Sequence, residues 1–251
     1  MRILFIGDNL VKGSVGVNWV KIFASKHKNW RIENDGKNGD TLTMIHRRLM
    51  KKLDREEYDV IFFEAGVNDI VIPWLLQKGY WFKKAAKYLL NKGANPRRDA
   101  ADFEKQYRKC ISDIQRKSKA VIIVSTIGCI NEDIDSDLNK QRCVCNKIIR
   151  EIAQEKELGL VDAGALFDGF LRRYKTNNYL LEDFLNTAWF DKIWCRLGCP
   201  EHLSNKRGLY LTVDGVHLNK EGAKIYYIET KKQLDLISSG CKIKLPMRQL
   251  L

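Results

Sequence analysis

Short apolar runs alternate along this chain with stretches in which apolar residues recur every three or four positions. Residues 3–6, Ile-Leu-Phe-Ile, show no in–out alternation, the pattern of a strand buried on both faces. Runs at 60–64, 121–125 and 158–162 repeat it, and 30–33 is a weaker version. Helical patterns lie between them: 17–27, then a helix capped by Thr41 with Leu42, Ile45, Leu49 and Leu53 on one face. Phe103, Tyr107, Ile111 and Ile114 mark another helix; so do Leu138, Cys145, Ile148 and Ile152, and residues 220–236 close the pattern. Strands alternating with helices predict a three-layer α/β/α sandwich around a five-stranded parallel sheet in flavodoxin-like order. No repeat or low-complexity linker divides the chain, so one domain over 1–251 is expected.

Two stretches break the rhythm. Residues 70–98 are rich in Trp, Tyr, Phe and Lys, and residues 165–211 in aromatics and charge. Both are expected to leave the carboxyl ends of strands, where open α/β sheets bind ligands, and to serve either as pocket walls or as a satellite core.

A domain of 251 residues buries roughly 75% of its unfolded surface, so it needs no metal or disulfide to be stable. No window approaches the ~18 apolar residues of a membrane span, and the first apolar run is too short for a signal peptide. The seven cysteines are odd in number and scattered. Reduced thiols in a cytoplasm are expected. Cys195, Cys199 and His202 are loosely spaced like zinc ligands, with Cys143 or Cys145 as a fourth, but small buried hydrophobes are the commoner role for such cysteines.

The net charge is +13, and residues 78–119 hold thirteen Lys or Arg against four Asp or Glu. A basic excess of this kind suits nucleic acid, an anionic lipid surface or an anionic substrate. No nucleic-acid motif accompanies it, so a solvated helix face without a nucleic-acid partner is expected.

Chemistry concentrates in four blocks at the carboxyl edge. They are Gly7-Asp8-Asn9-Leu10, the run from Asn34 to Thr41, Gly66-Val67-Asn68-Asp69, and Asp214-Gly215-Val216-His217-Leu218-Asn219. Histidine has the near-neutral pKa of a general base, and a carboxylate three residues earlier would share its face on a helical turn and fix its tautomer. A glycine admits close backbone approach to an oxyanion, and an asparagine amide adds a donor. Asp8 is expected to bond the backbone of its own loop, and His27, His46 and His202 to be surface or packing residues without partners.

In that order and beside those strands, the blocks resemble the SGNH hydrolases, the GDSL esterase and lipase family, over nearly the whole chain. The resemblance implies an ester hydrolase that needs no cofactor and acts on a small-molecule ester. It implies Asp214 and His217 as triad members, and Gly39 and Asn68 as oxyanion donors beside the residue-9 N–H. The family's nucleophilic serine falls at Asn9, which cannot attack a carbonyl. Asn9 is therefore an introduced inactivating change, a natural loss leaving a binding protein on an esterase scaffold, or a sign of another nucleophile. For the last, Ser14 should point elsewhere, while Cys129 should reach the cleft edge. The aromatic and basic 70–98 stretch favours an anionic or amphipathic substrate.

Overall fold

The computed structural model describes residues 1–185 and 189–239; Asn186 to Ala188, part of the 165–211 stretch, and the tail with Cys241 lie outside the described residues. Five parallel strands form one sheet in the order β2-β1-β3-β4-β5. They are β1 (Arg2–Gly7), β2 (Arg31–Gly36), β3 (Val60–Glu64), β4 (Val121–Ser125) and β5 (Gly159–Val161). This is the expected flavodoxin-like order.

The apolar runs behave as two-sided strands. Phe62 packs with Phe5 and Trp19 on one face, while its neighbour Phe63 packs edge-on against Tyr107 on the other. Two helices, α2 (Trp19–Lys26) and α11 (Lys220–Ser238), pack together on the first face. On the second face α6 (Ala100–Lys117) packs between α3 (Leu42–Leu53) and α7 (Asp137–Glu155). Right-handed crossovers place the two groups on opposite sides.

β2 runs three residues beyond the apolar 30–33 segment, through Asn34, Asp35 and Gly36. It is an edge strand, so backbone pairing with β1 rather than apolar burial defines its end, where Gly7 lies opposite Gly36. Gly7 and Gly36 therefore finish level on neighbouring strands. Glu64, at the end of β3, lies opposite Ser125. The strand order reverses between β1 and β3, the switch point at which open sheets form their crevice.

Helices that the apolar spacing did not predict fill the irregular stretches. α1 (Asn9–Lys12) follows β1, while α4 (Val67–Leu75) and α5 (Tyr80–Asn91) occupy most of 70–98. α8 (Ala163–Leu171), α9 (Asp191–Arg196) and α10 (Pro200–Arg207) lie in or beside 165–211. Among the described residues no helix is long and apolar enough to cross a membrane.

Candidate active site

The first block leaves β1 at Gly7, where an added Cβ would lie 2.6 Å from Val11 and 2.7 Å from the Glu64 carboxylate. Only glycine lets the chain turn that close to its neighbours. Asp8 caps α1 by accepting the Leu10 N–H at 3.0 Å, the loop role expected of it. Trp19, fully buried, donates its indole N–H to the Leu10 carbonyl and braces α1 from below.

Asn9 then points into the centre of the site. The Gly39 N–H donates to Asn9 Oδ1 at 2.7 Å, and the Asn68 amide approaches the same oxygen at 3.4 Å. The other end of the carboxamide, Nδ2, lies 3.2 Å from His217 Nε2. A backbone N–H can only donate, so the oxygen of Asn9 must face Gly39 and its NH₂ must face His217. His217 Nε2 is then the acceptor. Its Nδ1–H donates to Asp214 Oδ2 at 2.7 Å, which fixes the neutral tautomer.

Asp214 and His217 do not share a helical turn. Gly215 between them has φ +92°, left-handed space from which an added Cβ would meet the Tyr179 carbonyl at 2.5 Å. The segment is a tight loop in which Asp214 Oδ1 accepts the N–H groups of Val216 and His217 at 3.1 and 2.8 Å. The i to i+3 proximity comes from this side-chain-to-backbone turn. Glu132, fully buried, anchors the loop by accepting from the backbones of Tyr210, Leu211 and Thr212 and from the Thr212 hydroxyl. Leu181 N–H holds the Asp214 carbonyl, and Lys78 in turn donates to the carbonyls of Leu180 and Leu181.

The second and third blocks are tied together. Asn68 sits in the first turn of α4 after Gly66, whose φ of +122° suits glycine alone. Its amide donates to Asp40 O at 3.0 Å and to Asp8 Oδ2 at 3.2 Å, which aims it toward Asn9. Thr41 holds the cap position of α3, but its side chain makes no cap bond. Asp69 supplies that acceptor for the Leu42 N–H at 2.8 Å. Arg48 spans the first two blocks, donating to Asp40 Oδ2 and to the Gly7 carbonyl. None of Arg48, Glu64 or Glu132 stood out in sequence as part of a site, and Asp69 did so only as a member of its block. The one available signal was a charged Glu64 closing an otherwise apolar run.

Burial pushes His217 down, and the Asp214 charge and hydrogen bond outweigh it, leaving the imidazole above its ordinary value. Burial likewise pushes Asp214 up, and His217 more than offsets this, so its carboxyl stays below the usual range. Asp8 and Glu64 are both forced up, first by burial, with Glu64 reaching about 7 and its charge raising Asp8 further. The Asp8 N–H also faces Glu64 Oε2 at 3.3 Å. Two carboxyl groups that share a dry site retain a proton between them near neutrality.

The remaining candidates lie elsewhere. Ser14 bonds Asn38 and not the site. Cys129 is enclosed rather than set at a cleft edge, and burial raises its thiol far above the usual value. Cys195 Sγ accepts the Gly16 N–H, Cys199 is exposed, and His202 stacks on Trp194. Among the described residues no group of three or more His, Cys, Asp or Glu side chains is placed to hold a metal. His27 packs against Phe23 and Trp30, and its Nε2 lies 3.3 Å from the Tyr227 hydroxyl, a partner it was not expected to have. His46, expected to lack a partner, pairs with Asp113 at 3.1 Å because α3 and α6 bring the two together.

The comparisons with known proteins agree on the fold. The acetyl xylan esterase AlAXEase aligns with TM-score 0.63 at 17% identity, over 92% of this chain and 98% of that one. Axe2, an acetylxylan esterase from Geobacillus stearothermophilus, aligns with TM-score 0.62 at 18% identity over 93% of both chains. LAE5, an α/β hydrolase enzyme from the metagenome of Lake Arreo in Spain, aligns with TM-score 0.61 at 16% identity, over 97% and 96%. No curated protein matches the sequence. The profile of the GDSL-like lipase/acylhydrolase family matches residues 5–225, and with that match spanning most of its length the chain belongs to this family.

Proposed function

We propose that this chain carries a carboxylic-ester hydrolase site complete but for its nucleophile, and that with Asn9 it turns over very poorly. The observation behind the proposal is the seating of the Asn9 carboxamide. Its oxygen takes the donors of Gly39 and Asn68, and its nitrogen takes the acceptor of His217. A tetrahedral ester intermediate asks for the same partners: donors for its oxyanion and a base beside the attacking oxygen.

With serine at position 9, Oγ would lie beside His217 Nε2. His217 would take the hydroxyl proton as Oγ bonds to the ester carbon, with Asp214 holding the resulting imidazolium. The carbonyl oxygen, now negative, would rest on the N–H of Gly39, the amide of Asn68 and the residue-9 N–H. Collapse would expel the alcohol, protonated by His217, and water would release the acid by the same steps in reverse. No cofactor enters. A cytoplasmic setting belongs to the proposal, since the six described cysteines stand as free thiols.

The experiment is Asn9→Ser assayed on p-nitrophenyl acetate, where a gain of at least ~10³ over the parent is expected. Adding His217→Ala should erase it. A folded Asn9→Ser protein inert on acetyl, butyryl and longer esters would move the conclusion to the second reading, a non-catalytic binding protein. The same plugged site favours that reading, since the amide already satisfies the groups a substrate carbonyl would use.

The 70–98 stretch belongs to the proposal as a wall of the site. Leu89 of α5 packs directly on Gly39, while the cavity of about 570 Å³ that Trp74 and Lys78 line with Asn131 and Leu180 contains none of Asn9, Gly39, Asn68 or His217 and lies beside the site. Shortening 70–98 in the Asn9→Ser background should change the preference between short and long acyl esters; an unchanged profile would assign the stretch to packing.

A further inference from the structure

The Asn68 amide faces more acceptors than it can serve. Its nitrogen lies 3.0 Å from the Asp40 carbonyl, 3.2 Å from Asp8 Oδ2 and 3.4 Å from Asn9 Oδ1. An NH₂ group carries two hydrogens. The Asp40 carbonyl, the nearest acceptor, takes one. Asp8 Oδ2 competes for the other with the oxygen at the centre of the site, which is Asn9 Oδ1 in this chain and an oxyanion in the ester-hydrolase reading.

An ionised Asp8 wins that contest, because a charged acceptor bonds about twice as strongly as a neutral one. It would also set a negative charge beside the oxyanion. Glu64 lies against it. Glu64 Oε2 faces the Asp8 N–H at 3.3 Å, and the two carboxyl groups hydrogen-bond each other. Both side chains are fully buried, and Glu64 Oε1 has no hydrogen-bond partner, so a second full charge is poorly accommodated there. Asp8 Oδ1 accepts the Leu10 N–H at 3.0 Å. A proton held between the carboxyls therefore sits on Oδ2, the oxygen beside Asn68, and a protonated oxygen is a weak acceptor.

We propose that Glu64 is a positioning residue: its hydrogen bond with Asp8 makes Asp8 Oδ2 a weak acceptor and so frees one Asn68 N–H for the oxygen at the centre of the site. The catalytic use of that N–H rests on the ester-hydrolase reading, whereas the contest for it exists in the chain as it stands. Gly7 makes the arrangement possible, since a Cβ there would lie 2.7 Å from Glu64 Oε2. Other ionisable groups face the pair. Asp69 of α4 favours retention of the proton and His217 its loss. Tyr107 of α6 and Tyr226 of α11 are phenols that burial keeps neutral. Glu64 gives up its proton at about 7, and Asp8 then reclaims Asn68.

The test follows the Asn68 side-chain amide of the unmodified protein by nitrogen–proton correlation NMR from about pH 5 to about pH 9, the span over which such a pair titrates. The resonance is assigned by its absence from Asn68→Ala. One amide proton should move downfield with a midpoint at about 7. Glu64→Gln should abolish the movement. So should Asp8→Asn, which keeps an acceptor for the Leu10 N–H and serves equally if Glu64→Gln does not fold. In the Asn9→Ser background, kcat should fall at least ~10-fold on the alkaline side, toward the ~10²-fold worth of one oxyanion donor, with a smaller change in KM. Glu64→Gln should remove that fall. An amide resonance that ignores pH, one that still titrates in Glu64→Gln and so reports Asp69, or an alkaline fall in kcat that survives Glu64→Gln would overturn the proposal. An Asn9→Ser protein inert on every ester would end the hydrolase reading alone, since the amide titration decides the contest for Asn68 in the unmodified protein.

Discussion

The backbone N–H of Gly39 donates to the side-chain oxygen of Asn9 across 2.7 Å, thirty residues apart in the chain. The contact orients the whole carboxamide, since it leaves the NH₂ to face His217 Nε2. Residue 9 thus engages His217 as well as the donor groups of Gly39 and Asn68 through its own side chain.

Emptying that position should expose the donors. Asn9→Ala removes the amide and frees the Gly39 N–H, while Asn68 keeps its bonds to Asp40 O and Asp8 Oδ2, so a product carboxylate such as acetate should bind about fivefold tighter than to the parent, the worth of one hydrogen bond. Isothermal titration would measure it. Equal or weaker affinity in the Ala variant would mean that the amide does not compete with ligand.

The pH dependence of the Asn9→Ser enzyme follows from His217. The base works neutral, and the Asp214 charge raises its pKa despite burial. The rising limb of kcat/KM should therefore have its midpoint above the ordinary imidazole value of ~6.5. Asp214→Asn should shift the midpoint downward and cut the rate. A midpoint below the ordinary value in the Asn9→Ser protein would show that burial dominates Asp214.

The donors can be tested singly in the same background. Asn68→Ala should lower kcat by about 10²–10³ with a smaller change in KM, as expected of a group that acts on the developing oxyanion. Gly39→Ala should also cost kcat, because φ is +78° and a Cβ would lie 2.6 Å from Leu89 Cδ2. Losses confined to KM would place both residues in ground-state binding.

Stability should fall as pH rises toward neutrality and beyond. Asp8 and Glu64 titrate near ~4 when unfolded but are raised in the folded chain, Glu64 to about 7. The stabilisation that their bound proton contributes is complete below the unfolded values and lost as pH climbs through about 7. Asp214 has the opposite sense, contributing above its unfolded value and losing that contribution in acid. Calorimetry should find the highest Tm in mildly acid buffer and a decline by about pH 8. Glu64→Gln, which cannot ionise, should flatten the decline; an equally steep fall in that variant would assign it to other groups.

The elements of the sheet were legible because each is coded by its neighbours in sequence. Unbroken apolar runs mark strands buried on both faces, and the order of the four blocks carried the family. The apolar spacing did not disclose α5, whose outer face is lysine and tyrosine and whose inner face has a partner only once Gly39 is in place. What tertiary structure alone decided is where polar atoms meet. Glu64 lies under Asp8 because β1 and β3 are adjacent, which no local pattern encodes across 56 residues. Arg48 reaches the Gly7 carbonyl from another helix, and Glu132 gathers the Asp214 loop from nearly eighty residues away. The Asp214–His217 pair reads as one turn of helix in sequence, but Gly215 and its buried neighbours make it a loop. Periodicity is local and survives in the sequence, whereas burial, tautomer and the direction of an amide depend on which distant groups the fold brings within hydrogen-bond reach.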